Sequence, residues 1–330
     1  MPNISLIVTV YGVEQYIERC STSIFEQSYQ DFDLTFVNDC SKDGSEAILR
    51  NVIQKYRHFG IATQVIKHEV NQGISAARET GLKAVTGEYV LYIDADDYLA
   101  PNMLEMLADR AAKTGADIVY CDYNEVKNGQ PLYVDQSLPE SAPRRVAALM
   151  LRQKIVWAPW NKLFRRSVAV QHDIHWPPGI NIGEDLVVVT KLLCYANKVE
   201  HVGKALYYYN RDNVNSYLNV WNARSCYQNT KAVELLAYFL AHDVQDPVLD
   251  DALVQTKLMA RFQMLYAFDD ELRSMVAATF PETNGGVLGY THAPLYWRLA
   301  LYLVVNNQRL LATLALKLIW RLKMASQKRK

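Results

Sequence analysis

Several features that mark common protein classes are absent from this sequence. The cysteines form no CxxC pair and their number, five, is odd, which disfavours a zinc site and a disulfide scaffold. No GxGxxG motif follows the first predicted strand, which disfavours a dinucleotide-binding dehydrogenase. From the cysteine pattern we expect reduced thiols in a cytosolic environment. The cysteines are Cys20, Cys40, Cys121, Cys194 and Cys226.

Long apolar runs and, towards the end of the chain, acidic residues are also scarce. Residues Met1–Ser5 carry no basic group and precede only a short apolar run, so we expect a strand there and not a signal peptide. No acidic residue follows Glu282, whereas eight lysines and arginines do. The net charge of zero therefore combines an acidic body with a cationic tail, which indicates that the tail has its own partner.

Length and composition favour an α/β unit with an appended helical part. A chain of 330 residues, 50% of them apolar, can bury a sizeable core and exceeds the usual size of one domain. The first hundred residues alternate strands and helices, which predicts a mostly parallel sheet with helices on both faces. The predicted strands are Ile4–Val10, Phe32–Val37, Ala62–Ile66, Tyr89–Ile93 and Asp117–Tyr123. The predicted helices in this part are Val13–Phe25, Glu46–Tyr56, Ile74–Val85 and Pro101–Thr114.

The rest of the chain is predicted to be mainly helical. The turn-rich segment Lys127–Ala142 predicts irregular structure. Apolar periodicity predicts further helices over Arg144–Gln153, within Asn181–Ala196, and over Asn222–Tyr238 and Pro247–Phe268.

The stretch Tyr92–Tyr98 is the most informative one. Its carboxylates, Asp94, Asp96 and Asp97, follow an apolar run and so lie at the carboxyl end of a predicted strand, where open α/β sheets bind ligands. Crowded carboxylates repel one another unless a cation or hydrogen-bond donors offset the repulsion. Such oxygen ligands suit Mg²⁺ or Mn²⁺ shared with a phosphate, which predicts a metal-bridged nucleotide phosphate. Asp97 is also suited to cap the following helix.

Four segments together resemble family 2 of the bacterial glycosyltransferases. Ile4–Ile17 looks like that family's first strand and turn, and Phe36–Ser45 is similar to its VVDDGSxDGS signature. Asn71–Gly81 resembles its NxGxxxARNxG segment, and Asp94–Asp97 resembles its DXD motif. The resemblance implies an α/β GT-A fold, the nucleotide-diphospho-sugar transferase fold, in which helices flank a mostly parallel central sheet. A C-terminal helical extension would follow.

The resemblance also divides the chain into segments. Residues 1–220 would form the GT-A catalytic domain, with a nucleotide-binding half, 1–100, and an acceptor half, 101–220. Residues 221–293 would be a helical extension. Residues 294–330 would form a cationic amphipathic helix that associates with a membrane.

The resemblance assigns the uracil and metal contacts of a UDP-sugar donor. It implies that Thr9, Tyr11 and Asp39 hold the uracil, that Asp94 lies near the ribose or the metal, and that Asp96 binds the metal. An aromatic ring at a strand end, such as Tyr11, can stack on a base. A carboxylate such as Asp39 can accept the imide N–H, and a site that pairs one polar edge rejects analogues lacking it.

Three further side chains are candidates for the donor's ribose and diphosphate. Asn71 and Arg78 are seven positions apart, about two turns at the start of a helix, and can face the same phosphate or ribose region. Tyr207–Arg211, with Ser216, is similar to the family's strand and loop after the base. Closure of that loop would bring Arg211 to the diphosphate.

Two acidic residues are candidates for the reacting side. Glu184 and Asp185 resemble the family's ED motif at the start of a helix beside the acceptor. An inverting transfer needs a base for the acceptor hydroxyl, and we assign Asp185 as the base and Glu184 as the residue that orients the acceptor or the loop. The alternative is that both complement the helix N-terminus. Trp157 and Trp160, in a segment similar to the family's acceptor side, either stack on a sugar or belong to the core.

The tail Leu295–Met324 contains almost no helix-breaking residue and predicts one long helix. Its charges recur too often for a span of the bilayer, which needs about 20 predominantly apolar residues. The pattern fits a helix in the interface of an anionic leaflet. The alternative is a helix packed on the domain or on a second subunit of a homo-oligomer. Its polar stripe comprises Arg298, Tyr302, Asn306, Arg309, Thr313, Lys317 and Arg321.

Taken together, the sequence predicts an inverting, metal-dependent hexosyl- or N-acetylhexosaminyltransferase. It would move a sugar from a UDP-sugar to a hydroxyl of a cell-surface glycan: a capsule, an O-antigen or a lipid-linked oligosaccharide. We expect it in the cytoplasm, peripheral on the inner face of the cytoplasmic membrane, with no nucleic-acid partner. The alternatives are a non-catalytic binding or scaffold subunit and a sugar nucleotidyltransferase, whose Gly-rich, basic N-terminal loop is missing.

Overall fold

The computed structural model describes residues 3–213, 222–266, 272 and 275–327. The chain divides into two compact units, residues 1–216 and residues 217–330. All five cysteines are buried.

The first unit is an α/β unit built on one mixed sheet. Its strands are β1 Ile4–Val10, β2 Phe32–Asn38, β3 Thr63–Lys67, β4 Tyr89–Asp94, β5 Tyr98–Leu99, β6 Ile118–Lys127, β7 Gln130–Val134, β8 Lys162–Arg165 and β9 Val199–Asn210. Its helices are α1 Ile17–Phe25, α2 Ser45–Tyr56, α3 Ile74–Ala84, α4 Met103–Thr114, α5 Pro143–Leu151, α6 Arg166–Gln171 and α7 Glu184–Tyr195. The strand order is β3-β2-β1-β4-β8-β6-β9-β5, and β7 pairs with β6.

The half of the sheet around β1 has the predicted parallel arrangement. Strands β2 and β4 both pair with β1 in parallel, and β3 pairs with β2 in parallel. A strand in this position is covered on both faces, which explains the nearly continuous burial of Ile4–Val10. The chain continues from β1 to β2 on one side and returns to β4 on the other. The carboxyl ends of β1 and β4 therefore form the topological switch point, where ligands bind in open α/β sheets.

The predictions for the other half of the sheet were partly wrong. Strand β8 lies antiparallel between β4 and β6, and β9 runs parallel to β6. The segment predicted to be irregular, Lys127–Ala142, contains β7, which forms an antiparallel hairpin with β6. Most of β7 is exposed, so it has no alternating apolar pattern that would reveal it in the sequence. The sheet is accordingly mixed.

Two helix starts also differ from the predictions. Helix α1 begins at Ile17, four residues after Val13, because the backbone N–H of Tyr16 closes a turn by donating to the carbonyl of Val13 at 2.9 Å. Helix α4 begins at Met103 with Asn102 as its N-cap residue. Pro101 therefore lies before the helix.

The contact of α3 with β1 leaves no room for a side chain at Gly81. A Cβ there would lie 2.3 Å from Cγ2 of Ile7. Alanine ordinarily suits a helix better than glycine by about 1 kcal/mol, but overpacking a core costs about 1–3 kcal/mol. We expect Gly81→Ala to lower the free energy of unfolding in urea by up to about 2 kcal/mol, the cost of overpacking less the gain in helix preference. In the control Gly203→Ala the new Cβ meets only Cε1 of His201, at 3.9 Å, and equal stability of the two variants would contradict this packing.

The second unit is helical. Its helices are α8 Ala223–Phe239, α9 Pro247–Tyr266, α10 Leu295–Val305 and α11 Arg309–Gln327. The prediction of a single helix over Leu295–Met324 is therefore wrong. Helix α10 ends before Asn306, and Asn307 takes a left-handed conformation with φ of 59°. Within the described part of the chain, no helix is both long and apolar enough to cross a membrane.

Candidate active site

The predicted donor-side residues lie at the carboxyl ends of β1, β2 and β4. Thr9 is opposite Asp94 in the pairing of β1 with β4, and Val10 is opposite Asn38 in the pairing of β1 with β2. Tyr11 follows β1 directly, and 48% of its surface is exposed. The sheet therefore brings three predicted donor contacts to one edge, as expected for parallel strands.

Asp39, which follows β2, is buried and already holds a loop of the protein. Its Oδ1 accepts hydrogen bonds from Nδ1 of His68 at 2.7 Å and from the backbone N–H of Gln72 at 2.8 Å. Its Oδ2 accepts one from the backbone N–H of Gly73 at 2.8 Å. A carboxylate oxygen has two acceptor positions, so Oδ2 keeps one for a ligand. The structure thus gives Asp39 a loop-holding role that the sequence analysis did not assign.

Asn71 and Arg78 have different surroundings. Asn71 is exposed and precedes α3, and its Nδ2 donates to the carbonyl of Asp39 at 3.3 Å. Arg78 is 3% exposed and points into the unit. The helical spacing did not apply because α3 begins only at Ile74.

Arg78 connects the end of β4 to the start of α7. Its Nη2 donates to Oδ1 of Asp94 and its Nη1 donates to Oε1 of Glu184, both at 2.9 Å. The guanidinium lies over the ring of Trp176, 4.8 Å from the ring centre. Burial would lower the pKa of Arg78, but the charges of Asp94 and Glu184 outweigh this effect and hold the pKa above its ordinary value. A fixed cation therefore lies between Asp94, at the end of β4, and Glu184, at the start of α7.

The third carboxylate of the Tyr92–Tyr98 stretch is structural. Asp97 is fully buried, and it accepts hydrogen bonds from the hydroxyl of Tyr207 and the backbone N–H of Asn210, both at 2.7 Å. Burial and the charge of Asp96 raise its pKa well above the ordinary value. It caps no helix, since the N-cap residue of α4 is Asn102. Asp97 instead anchors β9 beside the other two carboxylates, which corrects the capping alternative.

Asp94 and Asp96 fit a divalent cation that is shared with a phosphate. Oδ1 of Asp94 accepts from Arg78, and Oδ2 of Asp96 accepts from Nδ2 of Asn213 at 2.8 Å. The remaining oxygen of each has no donor from another described residue. Burial and the charge of Asp94 raise the pKa of Asp96 to about 6, an electrostatic cost that a cation would offset.

The described residues contain no cluster of three or more His, Cys, Asp or Glu side chains that could hold a metal ion. Mg²⁺ is commonly bound through one or two carboxylates, with water and substrate phosphates as its other ligands. The pair Asp94 and Asp96 suits that mode of binding, which needs no metal cage built entirely from protein.

Glu184 and Asp185 occupy the first turn of α7, where they have different surroundings. Glu184 is buried against Arg78, whereas Asp185 is partly exposed and its Oδ1 accepts from the backbone N–H of Leu186 at 2.8 Å. Burial raises the pKa of both carboxyl groups, and the charge of Arg78 opposes that rise. No other described residue donates to Oδ2 of Asp185. Of the two acids, Asp185 is the more exposed one.

The two candidate tryptophans differ in the surface left to them. Trp160 is 4% exposed and is stacked on the rings of Tyr207, at 4.4 Å, and Tyr209, at 5.5 Å between ring centres. It therefore belongs to the core and has no face for a sugar, which settles that alternative. Trp157 is partly exposed.

Arg211 lies at the end of the described part of this unit. Its side chain is 40% exposed, and its Nε is 3.7 Å from Oε1 of Glu125. Ser216, the other residue named for the closing loop, lies outside the described residues. The motion assigned to Arg211 therefore remains a prediction.

Comparison with known proteins identifies a family for this chain. The model of the family described as Glycosyl transferase family 2 matches residues 5–172, just over half of the chain. The chain is 29% identical over 228 residues to the uncharacterized glycosyltransferase EpsJ of Bacillus subtilis, a match that covers 67% of this chain and 64% of EpsJ. It is 29% identical over 215 residues to the poly(ribitol-phosphate) beta-N-acetylglucosaminyltransferase TarS of Staphylococcus aureus, covering 63% of this chain and 35% of TarS. The chain thus spans less than two thirds of the length of these relatives.

Solved structures share the architecture. The crystal structure of Staphylococcus aureus TarS 1-349 in complex with UDP-GlcNAc matches with a TM-score of 0.57 and 21% identity, over 93% of this chain and 91% of that chain. The mannosyltransferase PcManGT of Pyrobaculum calidifontis, in complex with GDP-Man and Mn²⁺, matches with a TM-score of 0.53 and 18% identity, over 96% and 85% of the two chains. These likenesses show the fold. The chain has the GT-A fold and belongs to glycosyltransferase family 2.

Proposed function

We propose that this chain is an inverting, metal-dependent glycosyltransferase that moves a sugar from a UDP-sugar to a hydroxyl of a growing cell-surface glycan. The observation that carries the proposal is a set of open carboxylate oxygens: Oδ2 of Asp94, Oδ1 of Asp96 and Oδ2 of Asp185 have no donor from another described residue. TarS, whose structure this chain resembles, has been crystallised with UDP-GlcNAc and with UDP. That observation supports a uridine nucleotide as the donor.

The proposed reaction is a single displacement at the anomeric carbon. Asp185 takes the proton of the acceptor hydroxyl while that oxygen forms a bond to the anomeric carbon, on the face opposite the diphosphate. The bond from the anomeric carbon to the diphosphate oxygen breaks, and its electron pair leaves with UDP. The products are UDP, the glycosylated acceptor with inverted configuration and protonated Asp185, which returns its proton to water. The raised pKa of Asp185 makes it a stronger base than an ordinary aspartate.

The charges of the donor define the other roles. Asp94 and Asp96 would hold Mn²⁺ or Mg²⁺, which when bound stabilises the negative charge of the departing diphosphate. Asn71 and Arg211 are exposed enough to contact the ribose or the diphosphate. Arg78 is not, because both of its terminal nitrogens are paired with carboxylates.

The uracil contacts are proposed from exposure and position. Tyr11 offers an exposed ring after β1, Thr9 is next to the switch point, and Asp39 keeps one acceptor position for the imide N–H. Glu184 orients the acceptor side indirectly, through its ion pair with Arg78.

Release of UDP from candidate donors tests the proposal. We expect the protein to release UDP from at least one UDP-hexose or UDP-N-acetylhexosamine, with Mn²⁺ or Mg²⁺ required and EDTA inhibitory. GDP-mannose serves as the comparison donor, and preference for it would contradict the uridine specificity. A folded protein that neither binds UDP nor hydrolyses any of these donors would contradict the catalytic proposal and favour a scaffold subunit.

We also propose that the tail binds the anionic inner face of the cytoplasmic membrane, where a lipid-linked acceptor would be found. Helix α11 exposes four leucines on adjoining turns: Leu310 by 75%, Leu311 by 52%, Leu314 by 56% and Leu318 by 59%. Lys317 and Arg321 are exposed beside them, and residues 283–330 contain no acid. An apolar face with flanking cations is complementary to the interface of an anionic leaflet.

Sedimentation with lipid vesicles checks the tail. We expect wild type to bind vesicles that contain phosphatidylglycerol and to bind neutral phosphatidylcholine vesicles more weakly. Leu314→Glu with Leu318→Glu should weaken binding at least about tenfold, because each buried leucine contributes about 1.5–3 kcal/mol. The control Leu235→Glu, on a 44% exposed leucine of α8, should bind like wild type. If wild type is absent from the vesicle pellet, membrane binding by the tail is contradicted. A wild-type dimer that the paired substitution dissociates would likewise contradict membrane binding and would favour contact with a second subunit.

A further inference from the structure

Lys162, the first residue of β8, is a buried lysine with an unusual set of partners. It is 2% exposed, and its Nζ donates to the carbonyls of Val156 and Ala158, both at 2.8 Å, and to Oδ1 of Asn161 at 2.7 Å. These bonds satisfy all three N–H groups of the ammonium. No carboxylate within the described residues forms an ion pair with it. Burying an ammonium costs several kcal/mol, so the three acceptors must offset much of that cost.

The acceptors all belong to the segment Val156–Asn161, which contains no helix or strand. Its first end is held by Gln136, whose Oε1 accepts from the backbone N–H of Val156 at 2.8 Å. Its last end is held by Cys121, whose backbone carbonyl accepts from Nδ2 of Asn161 at 2.6 Å. Lys162 holds the middle of the segment, because its two backbone acceptors are the residues on either side of Trp157.

The charge of Lys162 also acts on Asp185. The negative charge of Asp185 favours the protonated lysine, and the positive charge of Lys162 in turn lowers the pKa of Asp185. Burial is the larger influence on the lysine and lowers its pKa to about 7. The thiol of Cys121 on β6 and the carboxyl of Asp185 on α7 oppose that lowering of the pKa. The charges that act on the pKa of Asp185 are those of Arg78 and Lys162, which lower it, and of Asp94, which raises it. A single side chain thus supports the segment around Trp157 and is electrostatically coupled to Asp185.

We infer that Lys162 is a positioning residue of the transfer reaction, which holds the segment Val156–Asn161 at the start of β8, beside the part of β4 that leads to Asp94. The inference rests on the proposed role of Asp185. It assigns a function to a lysine that contacts neither the donor residues nor any described carboxylate.

The pH dependence of UDP release tests the inference. In Lys162→Met we expect UDP release from the preferred UDP-sugar to fall at least about tenfold near pH 7, with the affinity for UDP within about twofold of wild type. Because loss of the cation raises the pKa of Asp185, the acid limb of the pH profile should move to higher pH by about 0.5–1 unit. Lys162→Arg keeps a cation and should keep the acid limb of wild type.

Lys113→Met is the matched control, since Lys113 is 72% exposed on α4 and should leave rate and profile unchanged. If Lys162→Met does not fold, Lys162→Gln replaces it, because the amide keeps two donors and removes the charge. The acid limb of its pH profile should move to higher pH by the same amount. A folded Met or Gln variant with the wild-type profile would overturn the inference. Wild type that releases no UDP from any donor would instead refute the proposed function, so the two failures are distinguishable.

Discussion

Asp185→Asn should abolish sugar transfer while leaving the affinity for UDP almost unchanged. Asparagine preserves the size of the side chain and its acceptor for the N–H of Leu186, which Oδ1 of Asp185 accepts at 2.8 Å. It cannot take a proton from an acceptor hydroxyl. Since a positioned general base contributes about 10²–10⁴-fold to a rate, we expect a loss of UDP release of that size. Calorimetry should give a dissociation constant for UDP within about twofold of wild type, because the donor side is unchanged.

Asp109→Asn on α4 is the matched control, because the side chain of Asp109 is 41% exposed and pairs only with Lys113 among the described residues. It should retain the rate of wild type. Normal turnover by Asp185→Asn would show that another group serves as the base, and loss of UDP binding would show that Asp185 belongs to the donor side.

Arg78→Met is the second substitution with a large expected effect, this time on stability. Removing one partner of a buried ion pair costs about 3–5 kcal/mol, because the remaining charge is left buried and uncompensated. Arg78 has two such partners: Glu184, whose side chain is 7% exposed, and Asp94, whose side chain is 24% exposed. We expect the free energy of unfolding in urea to fall by about 3–5 kcal/mol at pH 8.

The decrease in the free energy of unfolding caused by Arg78→Met should be smaller at pH 5. Without Arg78, the pKa of Glu184 in the folded state rises further above its value in the unfolded chain. The folded variant then binds more protons than the unfolded chain, so its stability decreases as pH increases. Arg50→Met, which breaks an exposed pair with Glu46, should cost less than about 0.5 kcal/mol. An equal loss at pH 5 and pH 8 would contradict the electrostatic role of Arg78.

The part of the fold from β1 to β4 followed closely from local sequence patterns. Strands buried on both faces are nearly continuous apolar runs, and each is separated from the next by a helix, so the order of elements up to β4 could be predicted. The position of Asp94 and Asp96 at a strand end needed only the end of such a run. The sheet topology then explains why Thr9 and Asp94 come together, since β1 and β4 are neighbours at the switch point.

Interactions between distant segments were not predictable in the same way. Arg78 pairs with Glu184, 106 positions further along the chain, and no local pattern reveals that contact. Asp97 looked like a helix cap because the hydroxyl of Tyr207 that binds it lies 110 positions away. Trp176 covers the guanidinium of Arg78 without any motif that would mark it. Tertiary context decided these roles.

Two further differences arose from geometry that composition does not encode. The stack of Trp160 on Tyr207 depends on the register of β9, which could not be read from a single strand. The break between α10 and α11 depends on Asn307, whose left-handed conformation asparagine tolerates better than most residues. The exposed leucines of α11 then became visible only with the structure.

Calorimetric titration of UDP with and without Mn²⁺, in wild type and in Asp96→Asn, tests the donor site most directly. We predict that Mn²⁺ strengthens UDP binding to wild type by at least about tenfold, or about 1.4 kcal/mol, and that Asp96→Asn removes most of this difference. Uridine, which lacks the diphosphate, should bind with the same affinity in either buffer. Equal affinity of wild type for UDP with and without Mn²⁺, or a gain that survives in folded Asp96→Asn, would contradict a metal bridge between these carboxylates and the diphosphate.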